Sequence, residues 1–243
     1  MKNLLQHPDA RLSRDITQAL DAVASAFAVP RGHLADLPFA VRDLSRLLTA
    51  ERGDMSRSYW SAPRFLAAYL RYFLPWNLHR LAWLLPGLEY PFPSAHPEES
   101  TRILDLGSGP LTLPLALWCA RPDLRVRPLH FVCADVAAKP MDIGLTAFQA
   151  LAGKDSPWRF SLSRGHLDGF LRKGEERFHC IMAGNVLNEL SPGKGESLEE
   201  RLESLVSAMS RKLLPGGKIL LIEPGTRLGG KMISLIRGGA IRQ

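Results

Sequence analysis

Residues 102–106 form a short apolar run that stops at Asp105-Leu106-Gly107-Ser108-Gly109-Pro110. The run reads as a strand. Two glycines one residue apart at its end let the backbone turn tightly and approach a ligand with no Cβ in the way. The chain beyond this turn keeps one rhythm. Strand-length runs at 129–134, 158–163, 179–183 and 218–223 alternate with helix-length segments at 113–120, 141–151 and 198–214. This alternation predicts an α/β fold, a parallel sheet with helices on both faces. Right-handed crossovers then bring every strand's carboxyl end to one edge, where ligands bind. Leu213-Leu214-Pro215-Gly216-Gly217 predicts a helix stop and a turn before the last strand.

The residues before this region carry helical spacing and no convincing strand. Ile16, Leu20, Val23 and Phe27 share one helix face, and Leu37, Val41, Leu44 and Leu48 define a second helix. A third is expected from Pro63, which suits a first helical turn, to a break at Pro75, and a fourth over 76–85. The proline-rich stretch 90–97 then reads as a linker. The expected organisation is a helical N-terminal domain with its linker at 1–97 and the α/β domain at 98–243.

Charge is placed unevenly. Residues 1–100 hold 11 basic and 10 acidic side chains, 101–200 hold 12 of each, and 201–243 hold 8 basic against 2 acidic. The net charge of +7 therefore lies almost wholly in the last stretch, at Arg211, Lys212, Lys218, Arg227, Lys231, Arg237 and Arg242 among others. Such a cluster is either a footprint for nucleic-acid phosphates or a solvated face. The most apolar stretch, 65–85, is interrupted by Arg71, Pro75, Asn77, His79 and Arg80, so no membrane span is expected. The N-terminus lacks a secretory layout, and Asp9, Asp15 and Asp21 do not suit a mitochondrial presequence, so a cytoplasmic setting is expected. Cys119, Cys133 and Cys180 are too few and too far apart for a metal site and read as reduced core residues, so no metal is expected.

The glycine turn separates two cofactor classes. A dinucleotide loop wants G-x-G-x-x-G, but position 112 is Thr. A strand running into Asp-x-Gly-x-Gly is instead the signature of the S-adenosylmethionine (SAM) loop of methyltransferases, although Leu111 stands where that pattern often has a third glycine. Asp105, Gly107, Ser108 and Gly109 are thus the candidate cofactor loop. Asp135 closes the second strand 26 residues after Gly109, where a carboxylate accepts from both ribose hydroxyls. After the third strand His166 or Asp168 is placed to hold the adenine amino group, and either is equally a turn residue. The fourth strand leads into Asn185-Val186-Leu187-Asn188-Glu189, at the end expected to face the transferred methyl. It matches no amine-methylating signature, and Cys180 lies at the wrong end of the strand for a nucleophile. Asn185, Asn188 and Glu189 are the nearest catalytic candidates, Asn185 also serving the cofactor.

The sequence at 64–85, with Asp105–Pro110, Asn185–Leu190 and Glu223–Thr226, resembles the mitochondrial-type small-ribosomal-subunit methyltransferase-like family, over roughly residues 55–237. The resemblance implies a Rossmann-like SAM-dependent methyltransferase sheet and association with the small ribosomal subunit or its rRNA. The family's usual cysteine cluster beyond the fifth strand is not present in this sequence. A complete methyltransferase sheet adds sixth and seventh strands, whereas only 17 residues follow Thr226, so those strands are expected to be missing.

Three functions fit these observations. One is methyl transfer from SAM to small-subunit rRNA or a ribosome-associated substrate. The second is an assembly or translation factor that keeps the fold for RNA binding. The third is a small-molecule methyltransferase in which Phe65, Tyr69, Tyr72, Phe73 and Trp76 line a substrate lid. The bland account of that stripe is simple packing.

Overall fold

The computed structural model describes residues 9–49, 59–88, 100–172, 174–187, 190, 193 and 195–241. The linker at 90–97, Asn188, Glu189 and Arg242 lie outside the described residues. Packing divides the chain into two units, and they do not follow a cut at 97/98. Residues 1–90, 109–128 and 137–160 form one unit, and 91–108, 129–136 and 161–243 form the other. The physical reason is that two crossover helices of the α/β region pack on the N-terminal helices.

In the first unit, α1 (Ala10–Ala26) begins at Asp9, whose carboxylate accepts from the Leu12 amide at 2.6 Å. It buries Leu12, Ile16, Ala19 and Val23. This stripe packs on the crossover helices α6 (Thr112–Ala120) and α7 (Ala138–Ala152). Arg11 donates to the Cys119 carbonyl at 2.9 Å and pairs with Asp15 at 2.8 Å. Arg125 also reaches Asp15, so two guanidiniums converge on one carboxylate beside the end of α6. All nine residues of α6 are buried, which fits a helix with no polar side. Short α2 (Arg31–Ala35) and α3 (Leu37–Thr49) precede α4 (Pro63–Ala68).

The expected break at Pro75 is absent. From α4 the chain passes through a single π-turn, Tyr69–Phe73, directly into α5 (Leu74–Leu84), where Pro75 occupies the first turn. Proline inside an α-helix clashes with the carbonyl four residues back. The π-turn widens the backbone just before it, and the Leu74 amide bonds to Tyr69 instead. One continuous helical segment replaces the two that were expected.

The second unit carries most of the sheet. The strands are β1 (Thr101–Leu106), β2 (Leu129–Asp135), β3 (Arg159–Arg164), β4 (Phe178–Gly184) and β5 (Leu213–Ile222), in the order β3-β2-β1-β4-β5. The β1–β2, β1–β4 and β4–β5 pairs are parallel. Leu106 pairs with both Ala134 and Ala183, and Gly184 with Ile222, so these strands end level at one edge. Alternate residues Leu104, Leu106, Val132, Ala134, Ile181 and Ala183 form one apolar face. They pack with Leu202, Leu205, Val206 and Met209 of α9 (Leu198–Arg211) and with Met232 and Ile236 of α10 (Arg227–Ile241). A short α8 (Leu167–Arg172), which the sequence pattern does not separate from the loop, follows β3.

β5 also differs from expectation. Pro215-Gly216-Gly217 does not precede the strand but lies inside it. Phe178 pairs with Leu213 and Cys180 with Lys218, a bulge that absorbs the extra residues opposite β4. Gly216 takes φ +74°, the backbone value such a bulge needs. Beyond β5 the described chain continues as α10 and adds no strand.

Candidate functional site

The loops leaving the carboxyl ends of the strands are tied to one another by backbone hydrogen bonds. Gly107 and Ser108, after β1, both donate to the Ala134 carbonyl, at 2.8 and 3.2 Å. Gly165, after β3, donates to the Asp135 carbonyl at 2.9 Å, and Asn185, after β4, to the Ile222 carbonyl at 2.8 Å. The sequence-expected residues Asp105, Gly107, Ser108, Asp135 and Asn185 are therefore gathered along one sheet edge.

Asp105 is 1% exposed, and among the described residues no group donates to either of its carboxylate oxygens. The Ser108 hydroxyl lies close by, yet it donates to the Asp105 backbone carbonyl at 2.7 Å. Burial is the main reason that the acid is pushed up to about 8, and the Asp135 charge adds to it. The rise favours the protonated acid at neutral pH, although the nearby Ser108 hydroxyl opposes it. A buried carboxyl with no partner is costly, so a cation donating to it would relieve the penalty and ionise it.

Gly107 adopts φ +67°, and a Cβ there would lie 2.3 Å from Val186 Cγ2. The turn after β1 is thus moulded against the loop after β4, and only glycine fits. In the first unit, Gly109 has φ +48° and its missing Cβ would stand 3.5 Å from the Trp60 ring. Trp60 packs between Tyr59 and Tyr69, with ring centroids at 4.6 Å in both directions. Leu111 takes left-handed geometry, φ +54°, where the methyltransferase pattern prefers glycine, yet its side chain is fully buried. Gly144 on α7 makes the room. A Cβ on Gly144 would meet the Pro110 carbonyl at 2.4 Å and Leu111 Cδ1 at 2.7 Å.

The two adenine candidates separate. Asp168 pairs with Arg201 at 2.7 Å on the first turn of α8, whereas His166 is exposed. Asn185 takes φ +59°, and the next two amides, of Val186 and Leu187, both donate to Glu223 Oε1 at 2.9 Å. Glu223 was not among the expected site residues. Its only sequence signal was its place directly after β5, in the Glu-Pro-Gly-Thr turn. Trp60 and Gly144 were missed as well.

The three cysteines are all buried. Burial pushes the Cys119 and Cys180 thiols up to about 12 and raises Cys133 well above the ordinary range. Among the described residues no cluster of His, Cys, Asp or Glu is arranged to hold a metal ion, and no helix is long and apolar enough to cross a membrane. The expected aromatic stripe divides. Tyr69 and Phe73 stack at 5.9 Å within the cluster around Trp60. Tyr72 and Trp76 are instead 45% and 57% exposed. They line an open groove of about 440 Å³ with Arg71, Pro75, His79, Arg80 and Trp83.

The strand order, the glycine turn after β1 and the convergent loops define an α/β protein with a Rossmann-like sheet, preceded in sequence by a helical segment. No family model and no curated protein sequence matches the chain. Among solved structures it is similar to a SAM-dependent methyltransferase from Agrobacterium tumefaciens, at 14% identity and TM-score 0.39, over 69% of this chain and 48% of that one. It is similar to a TehB-like SAM-dependent methyltransferase from Corynebacterium glutamicum at 16% identity and TM-score 0.42, over 73% and 84%. The CMeT domain of the citrinin polyketide synthase matches at 18% identity and TM-score 0.46, over 82% and 51%. The chain thus spans about half the length of the first and third of these proteins.

Proposed function

We propose that the chain is a SAM-dependent methyltransferase. The observation that carries this reading is Asp105, a fully buried acid without a donor at the end of β1, directly before a turn that only glycine can make. A SAM ammonium supplies the donors and the positive charge that this carboxyl lacks. Gly107 and Gly109 keep side chains away from the ligand, and Ser108 holds the turn through the Asp105 carbonyl. Asp135 is assigned to the ribose hydroxyls. His166 is favoured for the adenine end, because Asp168 is engaged by Arg201. Asn185 is assigned to the methyl end of the site. Bound SAM supplies an electrophilic methyl on a sulfonium centre. The chain's task is then to orient an acceptor and exclude water rather than to move protons.

A small molecule is the acceptor that the geometry supports best. Tyr59, Trp60 and Tyr69 form a largely buried aromatic cluster against Gly109, and aromatic side chains of this kind suit a compact apolar acceptor. The second reading, small-subunit rRNA as acceptor or as a partner of a non-catalytic factor, rests on the resemblance at 64–85 and on the basic excess beyond residue 200. There α10 exposes Arg227, Lys231 and Arg237.

Equilibrium dialysis with radiolabelled SAM, followed by incubation with a metabolite extract and with small ribosomal subunits, tests this. Binding with transfer to a low-molecular-mass product supports the main reading. Transfer to RNA selects the second. Absence of SAM binding would overturn the proposal.

A further inference from the structure

One carboxylate at this sheet edge binds its own chain. Glu223 Oε1 accepts from two successive amides, Val186 and Leu187, at 2.9 Å each. An ionised carboxylate accepting two backbone N–H groups is a strong local clamp. It acts on a turn: Asn185 sits at φ +59°, a left-handed value that asparagine adopts more readily than other non-glycine residues. The amide of Asn185 is anchored separately, on the Ile222 carbonyl at 2.8 Å. The segment after β4 is therefore held at three consecutive amides by the last residue of β5 and the residue after it.

The clamped segment in turn shapes the turn after β1. Val186 Cγ2 occupies the space where a Cβ on Gly107 would be, at 2.3 Å from it. Moving Val186 would unmould the glycine turn, whose amides at 107 and 108 are already committed to Ala134.

We infer that Glu223 is a positioning residue: it fixes the Asn185–Leu187 segment and, through Val186, the form of the Gly107 turn that receives the cofactor. The inference rests on the SAM reading for its consequence and on the hydrogen bonds for its cause.

The test combines calorimetric S-adenosylhomocysteine affinity, thermal midpoint and amide hydrogen exchange in the wild type, E223A, E223Q, V186A and the E223A/V186A double variant. E223A is expected to weaken binding about tenfold or more, since two amides lose a charged acceptor. E223Q, which keeps an acceptor oxygen of the same reach, should recover most of that loss. Because Glu223 acts through Val186, the E223A and V186A effects on affinity should fall well short of additive in the double variant. Exchange in E223A should rise at Val186 and Leu187 and also at Gly107 and Ser108. A lowered midpoint with unchanged affinity, or additive effects, would overturn the inference. If the wild type binds no S-adenosylhomocysteine, the SAM reading fails by itself. The positioning claim is then decided by exchange alone: faster exchange at Gly107 and Ser108 in E223A upholds it, and unchanged exchange there overturns it.

Discussion

At the scale of single residues, burial sets the behaviour of Asp105. In the folded chain it keeps its proton up to about pH 8, whereas in the unfolded chain it releases it near the ordinary value of 3.8. Across that interval the folded state binds more protons than the unfolded one, so stability falls as pH rises. The slope reaches about 1.4 kcal/mol per pH unit at most and levels off above the folded value. Urea denaturation of ligand-free protein should therefore show a falling midpoint from pH 5 to pH 8, and Asp105→Asn should flatten that profile. An unaltered profile in the variant would place the titration elsewhere. Gly107 answers to sterics instead. Gly107→Ala adds a Cβ 2.3 Å from Val186 Cγ2 at a positive φ. It should destabilise by about 1–3 kcal/mol, and Val186→Ala should relieve part of the loss in a thermal-melt comparison. Both residues stood out in the sequence because strand, acid and glycines are contiguous. Glu223 and Gly144 did not, since they act on Val186, 37 residues away, and on the Pro110–Leu111 turn. No local pattern records such pairings.

At the scale of elements, the sequence was most informative where one rule sets the outcome. Short apolar runs marked the strands, and apolar residues three and four apart marked the helix face of Ile16 and Val23. The sequence pattern failed where two rules compete. Pro75 read as a stop, but the π-turn at Tyr69–Phe73 removes the clash before the proline arrives. Pro-Gly-Gly read as a turn, but pairing with β4 draws it into β5 as a bulge. The turn after β5 shows how four residues serve two elements. Glu223 clamps the segment after β4, while the Thr226 hydroxyl accepts from the Gly229 amide at 3.1 Å at the start of α10. Gly229 itself has no room for a Cβ, which would meet the Pro224 carbonyl at 2.4 Å. Helix starts offer a clean check. Ser197 and Glu200 form a reciprocal capping box on α9, so Ser197→Ala should lower stability by about 1 kcal/mol. Chemical denaturation reads this directly, and a change below about 0.3 kcal/mol would show that the box contributes little.

At the scale of the whole molecule, the helices before the sheet do not form a separate module. The described part of unit one joins α1 and α5 to α6 and α7, helices that the chain makes only after β1 and β2. A linear sequence suggests a cut at the proline-rich stretch, because composition changes there. Packing follows instead the apolar surface of α6, which is buried on every side. We propose that this fold receives SAM through Asp105, a buried acid that ionises on binding. Calorimetric titration with S-adenosylhomocysteine at pH 7, in two buffers of different ionisation enthalpy, tests it most directly. Wild-type protein should bind and release close to one proton per site, seen as a buffer-dependent enthalpy, and Asp105→Asn should weaken binding and abolish that dependence. Binding of equal strength in the variant, or no binding by the wild type, would contradict the account.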